Sequence, residues 1–119
     1  MLDLEKLAER LKGIDRIVGH DQVRIREAID WFAKLPDEEE IFFFRAYLKA
    51  KLEDYGPAKA DLDMAMEMAL HKNGSIPVIY HGLCAEINQG LGRYLDAFKE
   101  NFIVGFAKAK AEVAEHLGL

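Results

Sequence analysis

The chain has 119 residues, half of them hydrophobic and 31% charged, with a net charge of −5. That composition suits one globular domain burying roughly two-thirds of the surface of the unfolded chain. No apolar run approaches the roughly 20 residues needed to cross a bilayer, and no face is evidently basic, so a phosphate backbone is a poor partner.

The opening residues, Met1-Leu2-Asp3-Leu4-Glu5-Lys6, alternate charge and apolar character and do not read as a cleaved secretory leader. The single cysteine, Cys84, has no thiol with which to form an internal disulfide, which points to a cytoplasmic protein. Acidity is concentrated centrally: residues 37–72 carry 9 acidic and 5 basic side chains, whereas 1–36 carry 7 of each and 73–119 carry 5 and 4.

Six helices and no strand are expected, because apolar residues recur every three to four positions throughout. The first runs from Asp3 as N-cap to about Lys12 with Leu4, Leu7 and Leu11 on one stripe, and continues weakly through Ile14, Ile17 and Val18. Asp21 caps the second, which buries Ile25, Ala28, Ile29 and Phe32 and closes at Pro36. Asp37 followed by Glu40 has the form of a capping box for a third helix over 38–53. Gly56-Pro57 opens the fourth, which ends at Lys72-Asn73-Gly74. The fifth starts at Ser75-Ile76-Pro77 and ends at Gly90. The sixth begins near Arg93 and extends towards His116 on a stripe of Phe98, Phe102 and Phe106. Short turns join these elements, so they form three antiparallel pairs over about 2–36, 38–72 and 75–107, with 108–119 as an extension of one domain.

Two stretches read alike. Glu53-Asp54-Tyr55-Gly56-Pro57-Ala58 and Gly92-Arg93-Tyr94-Leu95-Asp96-Ala97 each place a Tyr after a break and an Ala three residues later. With Ala46, Tyr55, Ala58, Leu62 and Ala65 in the second pair, Ala85, Tyr94 and Ala97 in the third, and Ala28 and Phe32 in the first, the pattern resembles the tetratricopeptide-repeat family. That resemblance covers about 40–107 and implies a right-handed stack of helical hairpins whose concave face holds a partner polypeptide. On the family alignment that face carries Phe43, Tyr47, Gly82 and Glu86, and the groove expected there is lined by Phe43, Tyr47, Ile79 and Glu86, with Lys51 and Gln89 near its edge. The Lys, Arg and Asn clamp by which some relatives grip a terminal carboxylate is absent. Gly19-His20, Glu27-Ala28, Glu38-Glu39-Glu40, Leu83-Cys84 and Gly90-Leu91-Gly92 also resemble the small chaperones of type III secretion needle subunits. This resemblance implies a chaperone that keeps an aggregation-prone filament subunit soluble, alongside a second small helical co-chaperone.

The residues also carry plainer readings. Phe42, Phe43 and Phe44 spread over about 200° of a helix, so either that helix is packed on two sides or one ring faces outward. Met64 and Met68 share a face and serve either an adaptable surface or core filling. His81 and Cys84 are three apart, too few ligands for a metal site; a small helical enzyme or ligand sensor using them is the alternative to an interaction protein. Asp61 and Asp63 point apart on a helix and form no carboxylate pair. Gly90-x-Gly92 lacks the strand and lysine of a phosphate loop. No catalytic group, cofactor or metal set is read. Apolar ends around Leu4, Leu7 and Leu11, or Val113 and Leu117, offer a homodimer interface.

Overall fold

The computed structural model describes residues 4–93, 99–105 and 107–108. Among them the chain is all-α. Five helices follow in order, α1 (Leu4–Val18), α2 (Gln22–Ala33), α3 (Glu39–Lys51), α4 (Tyr55–Asn73) and α5 (Val78–Gly90), and residues 99–105 and 107–108 are helical as well. No strand occurs among the described residues.

Several boundaries rest on local chemistry. Asp21 turns its carboxylate back to accept from the amides of Val23 at 2.9 Å and Arg24 at 3.4 Å, satisfying donors that the first turn of α2 leaves open. Pro57 falls within the first turn of α4, where its missing amide hydrogen costs nothing. Gly74 closes α4 with φ 72°, in the left-handed region. α1 runs unbroken through Gly13 to Val18, so the weak continuation after Lys12 is part of the same helix. α5 starts at Val78 with Pro77 as its N-cap residue, and Ser75 makes no cap.

The capping box at α3 does not form. Glu38 is the N-cap residue and makes no side-chain cap bond. Asp37 instead accepts from Arg45 Nη1 at 3.0 Å, and Glu40 pairs with Arg10. Longer-range partners have taken both side chains of the local motif.

α3 is the hub. It packs against α2, α4 and α5, and polar bonds join it to α1. Phe43 is 1% exposed and stacks on Tyr80 of α5, ring centroids 4.7 Å apart. Phe44 is buried against Phe32 of α2 at 5.6 Å. Phe42 is half-buried, with the Arg45 guanidinium 5.3 Å above its ring. Of the two readings of the aromatic run, α3 takes the one in which the helix is covered on more than one side.

The small residues do the close packing. Ala46, Ala58, Leu62 and Ala65 are fully buried where α3 meets α4, and Ala85 and Phe32 are buried while Ala28 is half-buried. Tyr55, at the start of α4, lies against the end of α5: a Cβ built on Gly90 would come within 2.4 Å of its ring. Tyr94 and Ala97 lie outside the described residues, as do Phe98, Phe106, Val113 and Leu117. Phe102 is described and is 66% exposed, so it does not anchor the last helix as its one-turn spacing suggested.

A side chain on Arg45 completes the α2–α3 junction. Its Nε and Nη2 donate to the Phe32 carbonyl at 3.1 and 2.7 Å, and Nη2 also reaches the Leu35 carbonyl at 3.1 Å. The Phe32 carbonyl also accepts from the Leu35 amide at 3.2 Å, so the guanidinium fills the acceptor capacity that the end of α2 leaves open. Replacing Arg45 by Ala should lower the unfolding free energy by about 2–3 kcal/mol, since three charge-assisted bonds to the Phe32 and Leu35 carbonyls are lost together. Asp37→Asn should cost under about 1 kcal/mol, because that carboxylate is 73% exposed. Urea denaturation of the two variants checks the order; equal losses would show that the ion pair, not the carbonyl bonds, matters.

Two glycines of α5 give opposite expectations. A Cβ on Gly82 meets nothing within 4 Å, so Gly82→Ala should stabilise the helix by about 0.5–1 kcal/mol. Gly90→Ala should destabilise by about 1–3 kcal/mol through collision with Tyr55. Thermal melts of the pair read the sign directly.

Candidate functional site

α1, α3 and α5 lie side by side and run in one direction, and their register is visible in the bonds between them. Tyr47 Oη donates to the Asp15 carboxylate, 2.8 Å from each oxygen, and Lys51 Nζ donates to the Gly19 carbonyl at 3.2 Å. Both contacts join residues 32 apart. Glu39, buried in the first turn of α3, accepts from Tyr80 Oη at 2.7 Å, which ties the α5 end of the row.

This row forms a trough with two halves. The apolar half, of about 400 Å³, is lined by Leu11 of α1, Phe43 and Tyr47 of α3, and Ile79, Gly82 and Glu86 of α5, with Val104 and Lys108 as one wall. The polar half, of about 480 Å³, begins at the same Tyr47 and Glu86 and continues past Lys51 and Ile25 to His20, Glu53 and Tyr55. The structure therefore brings Phe43, Tyr47, Ile79 and Glu86 together. Lys51 lies in the adjoining polar half, and Gln89 is exposed and lines neither. Phe43 contributes a buried floor, not an exposed ring.

Electrostatics differ between the halves. Lys51 is held by Asp15 at 3.0 Å and lies 5.5 Å over the Tyr47 ring. Burial and the Asp15 carboxylate together push the Tyr47 hydroxyl well above the ordinary tyrosine range, so it stays a donor at any physiological pH. Glu53 and Glu86 are exposed carboxylates with no ion-pair partner among the described residues. Glu53 also has φ 59°, a left-handed conformation that glycine usually takes at a helix end.

A second cluster surrounds Cys84. Asn88 Nδ2 donates to its Sγ at 3.4 Å, and His81 Nδ1 contacts Glu100. The thiol is buried, and burial, reinforced by Glu100, pushes it up to about 11. A neutral buried thiol is a poor nucleophile. Asn88 Oδ1 is buried with no hydrogen-bond partner among the described residues. Within those residues no three His, Cys, Asp or Glu side chains converge as a metal site, and no helix is long and apolar enough to cross a membrane.

The remaining apolar surface lies elsewhere than expected. Leu7 is fully buried and Leu11 faces the trough, so neither forms an outer dimer face. Outward-facing instead are Ile17, 69% exposed, and Trp31, 59% exposed, flanking a furrow between α1 and α2 with Ile14 and Phe32. Met64 is exposed and Met68 half-buried on the outer side of α4, while Met66 packs on the core. Asp61 and Asp63 pair separately, with Lys49 at 2.6 Å and Lys59 at 2.8 Å.

No protein-family model matches the sequence, and no curated protein or solved structure is significantly similar to it.

The raised thiol makes one expectation. Native Cys84 should react with iodoacetamide at pH 8 at least about tenfold more slowly than in the urea-unfolded chain, since thiolate is the reactive form and burial suppresses it. Equal rates, followed by mass spectrometry, would place the thiol in an open environment.

Proposed function

We propose that this protein is an interaction module that holds an apolar or amphipathic segment of another polypeptide in the trough along α1, α3 and α5. The observation that carries the reading is the union, in one concave surface, of an apolar floor (Phe43, Ile79, Leu11) with a polar continuation beyond Tyr47 and Glu86. A helix that seats its apolar stripe in the first half and continues with polar residues over the second meets both, and helix-in-groove binding uses such anchors. The consecutive packing of α1 on α2, α3 on α4, and α4 on α5 is compatible with a tetratricopeptide-like stack of hairpins. On the narrower resemblance to the small chaperones of type III secretion needle subunits, the segment belongs to such a subunit and the protein is its cytoplasmic chaperone. A catalytic role for His81 and Cys84 has less support, because the thiol is buried and protonated.

Gly82 lies in the trough with open space above it, so Gly82→Phe fills the binding surface without disturbing the core. Affinity capture from the source cells should retain a partner on the wild-type chain and lose it on Gly82→Phe at unchanged melting temperature. Tyr47→Ala should weaken the captured partner by about 2 kcal/mol, roughly thirtyfold in Kd. Identical capture by wild type and Gly82→Phe, or no protein captured at all, would overturn the reading.

A further inference from the structure

We propose that the trough selects segments carrying a lysine or arginine about two helical turns from their apolar anchor. This rests on the trough being a peptide site and specifies the chemistry of its occupant. Among the described residues the polar half contains one lysine, Lys51, and it is already committed to Asp15 and to the Gly19 carbonyl, while Lys108 lines the apolar half. His20 lines the same half. Against these stand Glu53 and Glu86, both exposed, both facing the polar half, and neither paired within the described residues. Once Lys51 and Asp15 cancel, the two carboxylates leave that end of the trough negative. A cation brought there gains their attraction, whereas an acid is repelled.

The geometry sets the spacing. Ile79 lies in the apolar half and Glu86 at the junction with the polar half. The two are seven residues apart on one helix, about 10 Å along its axis. A bound helix lying along the trough therefore places its basic residue about seven positions from the side chain seated over Phe43 and Ile79. A basic residue on either side of the anchor in sequence satisfies this, according to the direction in which the segment lies.

The test is selection of displayed random peptides of about sixteen residues, long enough to span both halves as a helix, against the full chain and against a Glu53→Gln/Glu86→Gln variant with an unchanged melting curve. Wild type should enrich apolar residues together with Lys or Arg about seven positions away. The variant should enrich the same apolar residues without the basic preference. A selected peptide made synthetically should bind the variant about tenfold more weakly at low salt, a difference that shrinks as salt screens the exposed carboxylates. Apolar enrichment by wild type with no basic preference, or with an acidic one, overturns this inference and leaves the trough standing as a peptide site. Failure to enrich any peptide overturns the peptide-site reading itself, and this inference with it.

Discussion

The buried guanidinium of Arg45 is the interaction on which the arrangement of helices depends. α2 ends with the Phe32 and Leu35 carbonyls turned into the junction with α3; the Leu35 amide reaches the first at 3.2 Å, but one backbone amide cannot fill the lone pairs of both. A rigid fork of donors from the neighbouring helix can. By binding the Phe32 and Leu35 carbonyls, Arg45 fixes where α3 leaves the α2 junction, and it orders Asp37 in the connection as well. Every other contact of α3 is then made from a position already defined: Phe44 against Phe32, Phe43 against Tyr80, Tyr47 to Asp15, Lys49 to Asp61.

A helix so enclosed determines what the surface beside it can be. With α2 and α4 on its flanks, α3 meets the trough through a narrow strip that carries Tyr47 and Phe43. The hydroxyl of Tyr47 is fastened to Asp15, so the ring stands at a fixed angle between the apolar and polar halves. Rigidity of this kind lowers the entropy lost when a ligand is seated. It also explains why burial of Phe43 and participation of Phe43 in the trough are not alternatives: one edge of a ring can be the floor of a cavity while its face stacks on Tyr80.

The helical periodicity was enough to read the all-α class, the turn at Asp21 and the glycine end of α4, because each is written in residues within a few positions of one another, whereas the aromatic run of α3 left open whether that helix is enclosed. The alanines at the α3–α4 contact were likewise legible, since only small side chains let helix backbones approach so closely. Asp37 and Glu40 misled because a capping box is a local pattern and their partners, Arg45 and Arg10, are 8 and 30 residues away. Nothing in the sequence marks Arg45 as buried; on composition alone an arginine is assigned to the surface. Of the polar half of the trough, Glu86 and Lys51 were read from the family alignment, whereas His20 and Glu53 were missed because they come from separate segments that only the register of α1, α3 and α5 brings beside them. Phe102 shows the converse: it sits in a clean one-turn aromatic spacing, yet its own side chain is two-thirds in solvent.

Trp31 is the chain's only tryptophan, and its indole stands outside the α1–α2 hairpin, edge-on to Phe32 at 5.0 Å. An indole already in contact with water has little further to go when the chain denatures. Intrinsic emission from this protein is thus tied to the environment of one outer hairpin and is nearly blind to α3, α4 and α5, where most of the buried side chains lie. Optical measurements of its cooperativity have to be anchored in the amide signal, which every helix shares.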